Sequence, residues 1–383
     1  MNPRSRALAI AGLAAATTLL LGCAAPKAPT PANPNEITIA AAGPMTGDLA
    51  VFGEQLRRGA EAAVDDINAK GGVLGKKLRL VLGDDQCEPR KAVGVASSLL
   101  DQGVVFVDGH FCSGSSIPAS VVYADAGVLQ ITPSSTNPAL TDDAAAKGIT
   151  TVMRVANRDD QQGVFAGDWI AKNRAKKNVA VLDDGSAYGR GLADMAAEWM
   201  EKGGLKPLVR TTYRQRDQDY IQLIDTLIVG KIDVIYVGGY HDDEARILRQ
   251  ARDKGLKAEW ISGDALNTSE FSRLAGSASD GVRFSDAPSA TALPSAREAV
   301  AALRKGGYEP EGYTLSAYAA VQAFTAAATA TGSTDGKTLA TWLRKSTVPT
   351  VLGDLSWDAK GDVTQQRFTW YIWHGGRYRE EPK

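Results

Sequence analysis

Small hydroxyl residues gathered at the ends of apolar runs are the chemistry this chain offers first. In residues 103–116, GVVFVDGHFCSGSS, a β-branched run (Val104, Val105, Phe106, Val107) stops at glycine and meets Cys112-Ser113-Gly114-Ser115-Ser116, before Ile117-Pro118 opens a helical segment. A strand that ends this way presents free backbone N–H groups and a hydroxyl, donors that together can hold a carboxylate. One strand later, Val128-Leu129-Gln130-Ile131 runs into a second turn of the same kind, Thr132-Pro133-Ser134-Ser135-Thr136-Asn137-Pro138. Two such turns at the carboxyl ends of successive strands mark the crevice where open α/β sheets bind ligands. Ser/Thr/Gly/Pro clusters also serve as plain caps and turns. Their recurrence in adjacent units is what turns the reading toward binding.

Other chemistry is missing. The chain has no Gly-x-x-x-x-Gly-Lys-Ser/Thr phosphate loop, no Gly-x-Ser-x-Gly elbow and no His-Glu-x-x-His. The three histidines, His110, His241 and His374, share no spacing. His110 and His241 each follow a strand end and could reach a cleft, but the expected role is that of a solvated or hydrogen-bonded loop histidine. No motif asks for a cofactor, and no metal site is expected.

The elements that must position the two turns are regular. Strand (Glu36–Ala42), helix (Phe52–Lys70), Gly71-Gly72 turn and strand (Lys77–Asp84) lead the series. The helix sets Leu56, Ala60, Ala63, Val64 and Ile67 on one face, with Arg57, Arg58, Glu61 and Asp65 on the other. The alternation continues through Ala92–Gln102, Val104–Val107, Pro118–Ala126 and Val128–Ile131, as in a parallel sheet covered on both faces. A second series follows Val152–Val155: helices at 161–172, 189–203, 220–229 and 242–254 alternate with strands at 178–182, 208–212, 233–237 and 259–261. Helical stretches return at 296–304, 315–330 and 338–345, and Arg367–Trp373 alternates as a strand. Two doubly wound units imply two similar lobes with the ligand site between them.

The N-terminus reads as an export signal: Arg4 and Arg6, an apolar run from Ala7 to Leu21, then Leu20-Leu21-Gly22-Cys23. Those last four residues resemble a bacterial lipobox, in which cleavage before the cysteine precedes its lipidation. The alternative is ordinary signal cleavage near Ala25. Residues 24–35, AAPKAPTPANPN, form a tether without a core of its own. Removing residues 1–22 takes two arginines and no acids from 43 basic and 44 acidic residues, leaving 41 against 44, which speaks against a nucleic-acid partner. Cys87 and Cys112 remain, an even pair in an oxidising setting, where a bridge would steady the Ser113 turn. A metal site is the competing idea, without the histidines to complete a zinc shell.

Taken together, several blocks resemble the leucine/isoleucine/valine-binding protein family, the extracytoplasmic solute receptors of branched-chain amino-acid ABC transporters. They are Asp84-Asp85-x-Cys87-x-Pro89, Gly109-His110-x-Cys112-Ser113, Thr132-Pro133 with Thr136-Asn137-Pro138, Tyr188-Gly189-x-Gly191, Gly238-Gly239-Tyr240 with Arg249-Gln250-Ala251-Arg252, and Trp357-Asp358-x-Lys360-Gly361-Asp362. The resemblance implies a type I periplasmic binding protein, or Venus-flytrap, fold: two doubly wound α/β lobes joined by three crossings near Arg154–Asn157, Phe284–Pro288 and Gln366–Thr369. Signal (1–22) and lipidated tether (23–35) then precede lobe 1 (36–154 and 288–368) and lobe 2 (155–287 and 369–383). The family's disulfide falls on Cys87 and Cys112.

The resemblance further implies an α-carboxylate site at Ser113 and Thr136 with a backbone contribution at Ser134, and an ammonium site at Asp264 with Tyr188 and Tyr240. A side-chain pocket falls on Phe52, Phe111, Cys112, Ser134 and Tyr313. A zwitterion taken out of water needs such donors and such an acceptor. The acidic position is usually glutamate and here is Asp264, one methylene shorter. Ser134 and the Tyr313 hydroxyl should make the pocket more polar than an aliphatic one. Structural roles are available too: Tyr188 as a cap after which Gly189 follows, Tyr240 packed at a strand end, Asp264 as N-cap of a helix at 266–274. The expectation is a monomeric, lipid-anchored, non-enzymatic receptor for leucine, isoleucine, valine or a similar free amino acid, with a membrane permease as partner. Its rivals are a relative binding amides, urea or aromatic acids, a stand-alone sensor, and an enzyme acting on a small acid or amide.

Overall fold

The computed structural model describes residues 33–381. The signal segment, Cys23 and most of the tether lie outside them. The first sheet takes β1 (Glu36–Gly43), β2 (Lys77–Asp84), β3 (Phe106–Gly109), β4 (Leu129–Thr132) and β5 (Val152–Arg154) in the order β2-β1-β3-β4-β5, all parallel. Its connecting helices are α1 (Ala50–Ala69), α2 (Pro89–Asp101), α3 (Ser113–Asp125) and α4 (Ala139–Ala146). Alternate residues of β1 are buried on opposite faces, as a strand covered on both sides requires. Ile37, Ile39 and Ala41 share a core with α1, while Ala40 and Ala42 pack with Ala92, Ala96 and Tyr123 of α2 and α3.

From β5 the chain crosses into α5 (Asp159–Asn173), then β6 (Val179–Asp183), α6 (Ala187–Lys202), β7 (Val209–Thr212), α7 (Ile221–Val229), β8 (Val234–Gly238), α8 (His241–Asp253), β9 (Glu259–Ser262), α9 (Ser269–Ala275) and β10 (Arg283–Asp286). It then returns to the first sheet as α10 (Arg297–Lys305), α11 (Thr314–Thr331) and α12 (Gly336–Leu343), whose Leu303, Phe324 and Leu339 join the core of Ile39 and Phe106. Gly59 of α1 is what lets α11 lie so close: a Cβ there would collide with the Thr314 carbonyl. After a small hairpin, β11 (Val348–Thr350) and β12 (Gly353–Leu355), the chain crosses again into β13 (Thr369–His374) and β14 (Arg377–Glu380). These two close the second sheet, ordered β14-β13-β10-β9-β8-β6-β7, with β13 antiparallel to β10. The result is two α/β lobes of mainly parallel strands. Among the described residues no helix is long and apolar enough to cross a membrane.

Two local differences from the sequence reading matter for the site. Strand β3 begins at Phe106 rather than Val104, because the Val104 N–H folds back onto the Leu99 carbonyl at the end of α2. Helix α3 begins at Ser113, five residues before Pro118, so the small-residue turn is itself the first turn of the helix. Cys112, extended at φ −73° and ψ 134°, is the residue on which that helix starts.

Candidate functional site

The Ser113 turn is built on donors without helical acceptors. Ser115 and Ser116 N–H groups close on the Cys112 carbonyl, while those of Ser113 and Gly114 stand at the open N-terminus of α3. The Cys87–Cys112 disulfide, with Cα atoms 5.4 Å apart, anchors the turn to the loop after β2. Beneath it His110 is wholly buried, one ring nitrogen 2.6 Å from Asp85 Oδ2 and the other 2.9 Å from the Tyr123 hydroxyl, so of the two roles expected it takes the hydrogen-bonded one. The His110 carbonyl accepts from Ser116 Oγ at 2.9 Å and from Thr132 Oγ1 at 2.7 Å, which ties the two turns together.

The second turn is clamped by Arg154. Its guanidinium donates to the Ser135 carbonyl at 2.7 Å and the Asn137 carbonyl at 3.0 Å, on either side of Thr136, and its Nε lies 2.6 Å from Asp362. Thr136 Oγ1 is left buried with no partner. The Asn137 N–H, next in the chain after Thr136, donates to Ser113 Oγ at 3.3 Å, which joins the two turns. Ser134 differs from expectation: its N–H turns to Thr132 Oγ1 and its hydroxyl donates to the Phe111 carbonyl at 3.0 Å. The carbonyl is its remaining backbone group, an acceptor rather than a donor.

Opposite stands Asp264, in a short 3₁₀ turn after β9. Its Oδ1 accepts from the Tyr188 hydroxyl at 2.9 Å and its Oδ2 from the Tyr313 hydroxyl at 2.6 Å. Gly263 makes this possible, since a Cβ there would come within 2.8 Å of the Tyr188 hydroxyl. Asp264 is therefore no helix cap; Thr268 caps α9, and Ser186, not Tyr188, caps α6. Burial raises the Asp264 carboxyl above its ordinary range, and the two phenolic donors pull it back.

Asp159, which sequence reasoning passed over, opens α5 with both carboxylate oxygens buried and unpaired. Burial pushes its carboxyl well up, and the nearby Asp264 adds to the effect. The Thr136 hydroxyl eases that charge slightly without reaching hydrogen-bond geometry. Two desolvated carboxylates near one another, one with no donor at all, are an arrangement that a cationic group would stabilise. The sequence signal was present but weak: an acid at the start of a helix just after a crossing reads as a solvated N-terminal charge.

The wall beside this site is aromatic. Phe52 stacks on Phe111 at 4.5 Å and 13°, and Tyr313 meets Phe111 edge-on at 4.9 Å. Tyr240 lies 5.2 Å from Tyr188 and 6.4 Å from Phe52. His241 turns its edge to Phe52 at 5.0 Å, fully buried with neither ring nitrogen bonded, and burial depresses it to about 4, so it stays neutral. With the Ser134 and Tyr313 hydroxyls both engaged, the pocket is less polar than their residue types suggested. The lobes also touch around the cleft, where Asn137 Nδ2 donates to the Ala187 carbonyl at 2.6 Å and Glu311 accepts from the Ser269 N–H at 2.9 Å. Among the described residues no group of three acidic, histidine or cysteine side chains is placed to hold a metal ion.

Comparison with known proteins gives the same frame. Residues 36–376 match the family described as periplasmic binding protein. An amino acid binding protein of Pseudomonas aeruginosa is 41% identical, covering 91% of this chain and 93% of its own. The Leu/Ile/Val-binding protein homolog 2 of Brucella abortus is 40% identical over 89% of this chain and 91% of its own. Among solved structures, the branched-chain amino acid transporter substrate binding protein LivJ of Streptococcus pneumoniae, in complex with isoleucine, superimposes with a TM-score of 0.81 at 26% identity, over 90% of this chain and 97% of its own. Matches of this length, running through both lobes and every turn that frames the cleft, place the chain in the periplasmic binding protein family, among the Leu/Ile/Val-binding proteins, as an extracytoplasmic solute-binding protein.

Proposed function

We infer that the protein is the substrate-binding component of an ABC transporter for amino acids of the branched-chain type, holding a free amino acid between its lobes and delivering it unaltered to a membrane permease. The observation that carries this reading is Asp264: a buried carboxylate gripped by Tyr188 of its own lobe and by Tyr313 from the other, facing the open donors of the Ser113 and Thr136 turns. Ser113 and Thr136 bind the α-carboxylate. Asp264, with Asp159, takes the ammonium, the Ser134 carbonyl adds an acceptor, and Tyr188 and Tyr240 close the second wall. Phe52, Phe111, Cys112 and Tyr313 enclose the side chain. A receptor for amides, urea or aromatic acids has no use for two desolvated carboxylates here.

Closure follows from the division of labour between lobes. Only the closed form satisfies both ends of the zwitterion, and that difference in contacts drives it. A leucine-sized ligand has nine heavy atoms, and at a ceiling of about 1.5 kcal/mol per atom, micromolar or tighter binding is expected. The anchor at Cys23 and the monomeric state belong to the same proposal.

The test is calorimetric titration with the twenty amino acids and simple amides, followed by Asp264→Ala. The variant should weaken amino-acid binding by well over tenfold, because the ammonium is left buried without its carboxylate. Unchanged affinity would falsify the assignment.

A further inference from the structure

Asp159, inferred above to take the ammonium, has no side-chain partner to hold it, so its place depends on the residues on either side. Both are fixed in one ion network. Arg158, extended at φ −106° and ψ 142°, is the residue on which α5 starts, just after the chain crosses from β5. Its guanidinium, 11% exposed, meets both oxygens of Asp142 at 3.2 and 3.0 Å, both of Asp160 at 3.1 and 2.8 Å, and Asp362 Oδ2 at 2.6 Å. Asp142 belongs to α4 and Asp362 to the stretch between β12 and β13, so two of the three acids lie on the first-lobe side of the crossing. Asp160 follows Asp159 directly. The Arg158 N–H completes the tie by donating to Gln366 Oε1 at 2.8 Å.

The same network reaches the carboxylate turn. Asp362 is buried, and its other oxygen lies 2.6 Å from Arg154 Nε and accepts from the Thr141 hydroxyl at 2.9 Å. Arg154 is the clamp on the Ser135 and Asn137 carbonyls that flank Thr136. One carboxylate therefore sets both ends of the inferred site, Thr136 through Arg154 and Asp159 through Arg158. The bond from the Asp159 N–H to the Thr136 carbonyl at 3.0 Å joins the two directly. Charge is balanced without Asp159: Arg154, Arg158 and Lys360 stand against Asp142, Asp160 and Asp362, with Lys360 2.6 Å from Asp142. Neither arginine hydrogen-bonds Asp159, whose oxygens stay open to an incoming ammonium. A planar guanidinium that meets carboxylates with paired N–H groups fixes direction as well as distance, which a lysine in its place could not.

Resting on the amino-acid reading above, we propose that Arg158 is a positioning residue for the ligand ammonium: anchored on Asp142 and Asp362, it holds the start of α5 so that Asp159 faces the α-amino group while Thr136 keeps the α-carboxylate. It touches no ligand atom itself. Its effect on affinity runs through Asp159.

A double-mutant cycle, read by calorimetric titration with leucine, isoleucine and valine, tests this. Arg158→Ala should weaken binding about tenfold in the native background and less than about twofold in an Asp159→Asn background, where no charge is left to aim. Arg158→Lys, which keeps the charge and loses the fork, should recover only part of the affinity. Asp142→Ala, at a partly exposed partner, should give a smaller loss that also vanishes with Asp159→Asn, and it carries the cycle if Arg158→Ala does not fold. Equal losses in both backgrounds, or no loss for either variant in the native background, overturn the proposal. If the wild type binds these amino acids and the cycle is additive, the amino-acid reading stands and only this assignment fails. If the wild type binds none of them, the amino-acid reading itself fails.

Discussion

On the reading proposed above, Asp159 is the acid that the protein itself provides for least. An acid with both oxygens buried and no donor is held in place by backbone geometry, its N–H bonded to the Thr136 carbonyl at 3.0 Å, and not by its own side-chain chemistry. Asp159→Asn should lower amino-acid affinity about tenfold or more while leaving the melting temperature equal or higher, since the charge is a cost in the empty protein; calorimetry beside thermal melts reads both. Glu244 is the contrasting case, a buried acid with partners, accepting from Trp260 Nε1 at 2.6 Å and Ser262 Oγ at 2.8 Å. Burial lifts its carboxyl from 4.5 to about 8. A raised folded pKa means that the stability held by the neutral acid is full below about 4.5 and is lost as pH rises through about 8. Glu244→Gln keeps the shape without the titration, and Ser262 can still donate to the Val237 carbonyl. The variant should melt like wild type near pH 4.5 and roughly 3 °C or more above it at pH 8.

At the scale of elements, the disulfide and α3 carry the argument. Closing a loop of about 25 residues is worth roughly 3 kcal/mol in the chain-entropy estimate. Cys112→Ser should therefore lower the melting temperature of oxidised protein and leave that of reduced protein unchanged; equal losses in both would mean the bridge does not form in solution. How far the elements were legible depended on whether their signal was local. The apolar stripe of α1 and the β-branched runs of the central strands report their own burial, and both were read within a few residues. The start of α3 is not legible this way, because Pro118 reads as a helix opening. In fact the helix is set off by an extended Cys112 fixed from outside by Cys87. Strand β14 and helix α4 were missed, the first because Arg377–Glu380 is largely exposed at a sheet edge, the second because its eight residues carry little apolar stripe. For the site, the hydroxyl turns were visible as residue types at strand ends. The engagement of Ser134 and Tyr313 and the bareness of Asp159 depend on neighbours far apart in the chain, which no spacing encodes.

For the whole molecule, the contacts that straddle the cleft set how long a ligand stays. Glu311, from the segment before α11, accepts from the Ser269 N–H at 2.9 Å and from the Thr268 and Ser269 hydroxyls at 3.3 and 3.1 Å. It touches none of the groups assigned to the ligand, so its contribution is to the closed form alone. Glu311→Ala should raise the ligand dissociation rate by roughly three- to tenfold with little change in association, measured by stopped-flow fluorescence. The interleaving of the two lobes has a further consequence, for how the chain matures. The first sheet is finished by α11 and α12, and the second by β13 and β14, whose partner β10 lies more than eighty residues upstream. The first half has all of its interior once Val363 is in place, whereas the second cannot complete its own before β13 and β14 are present. A chain truncated before Thr369 therefore keeps a complete first interior beside a second that lacks Trp370, Tyr371 and Trp373.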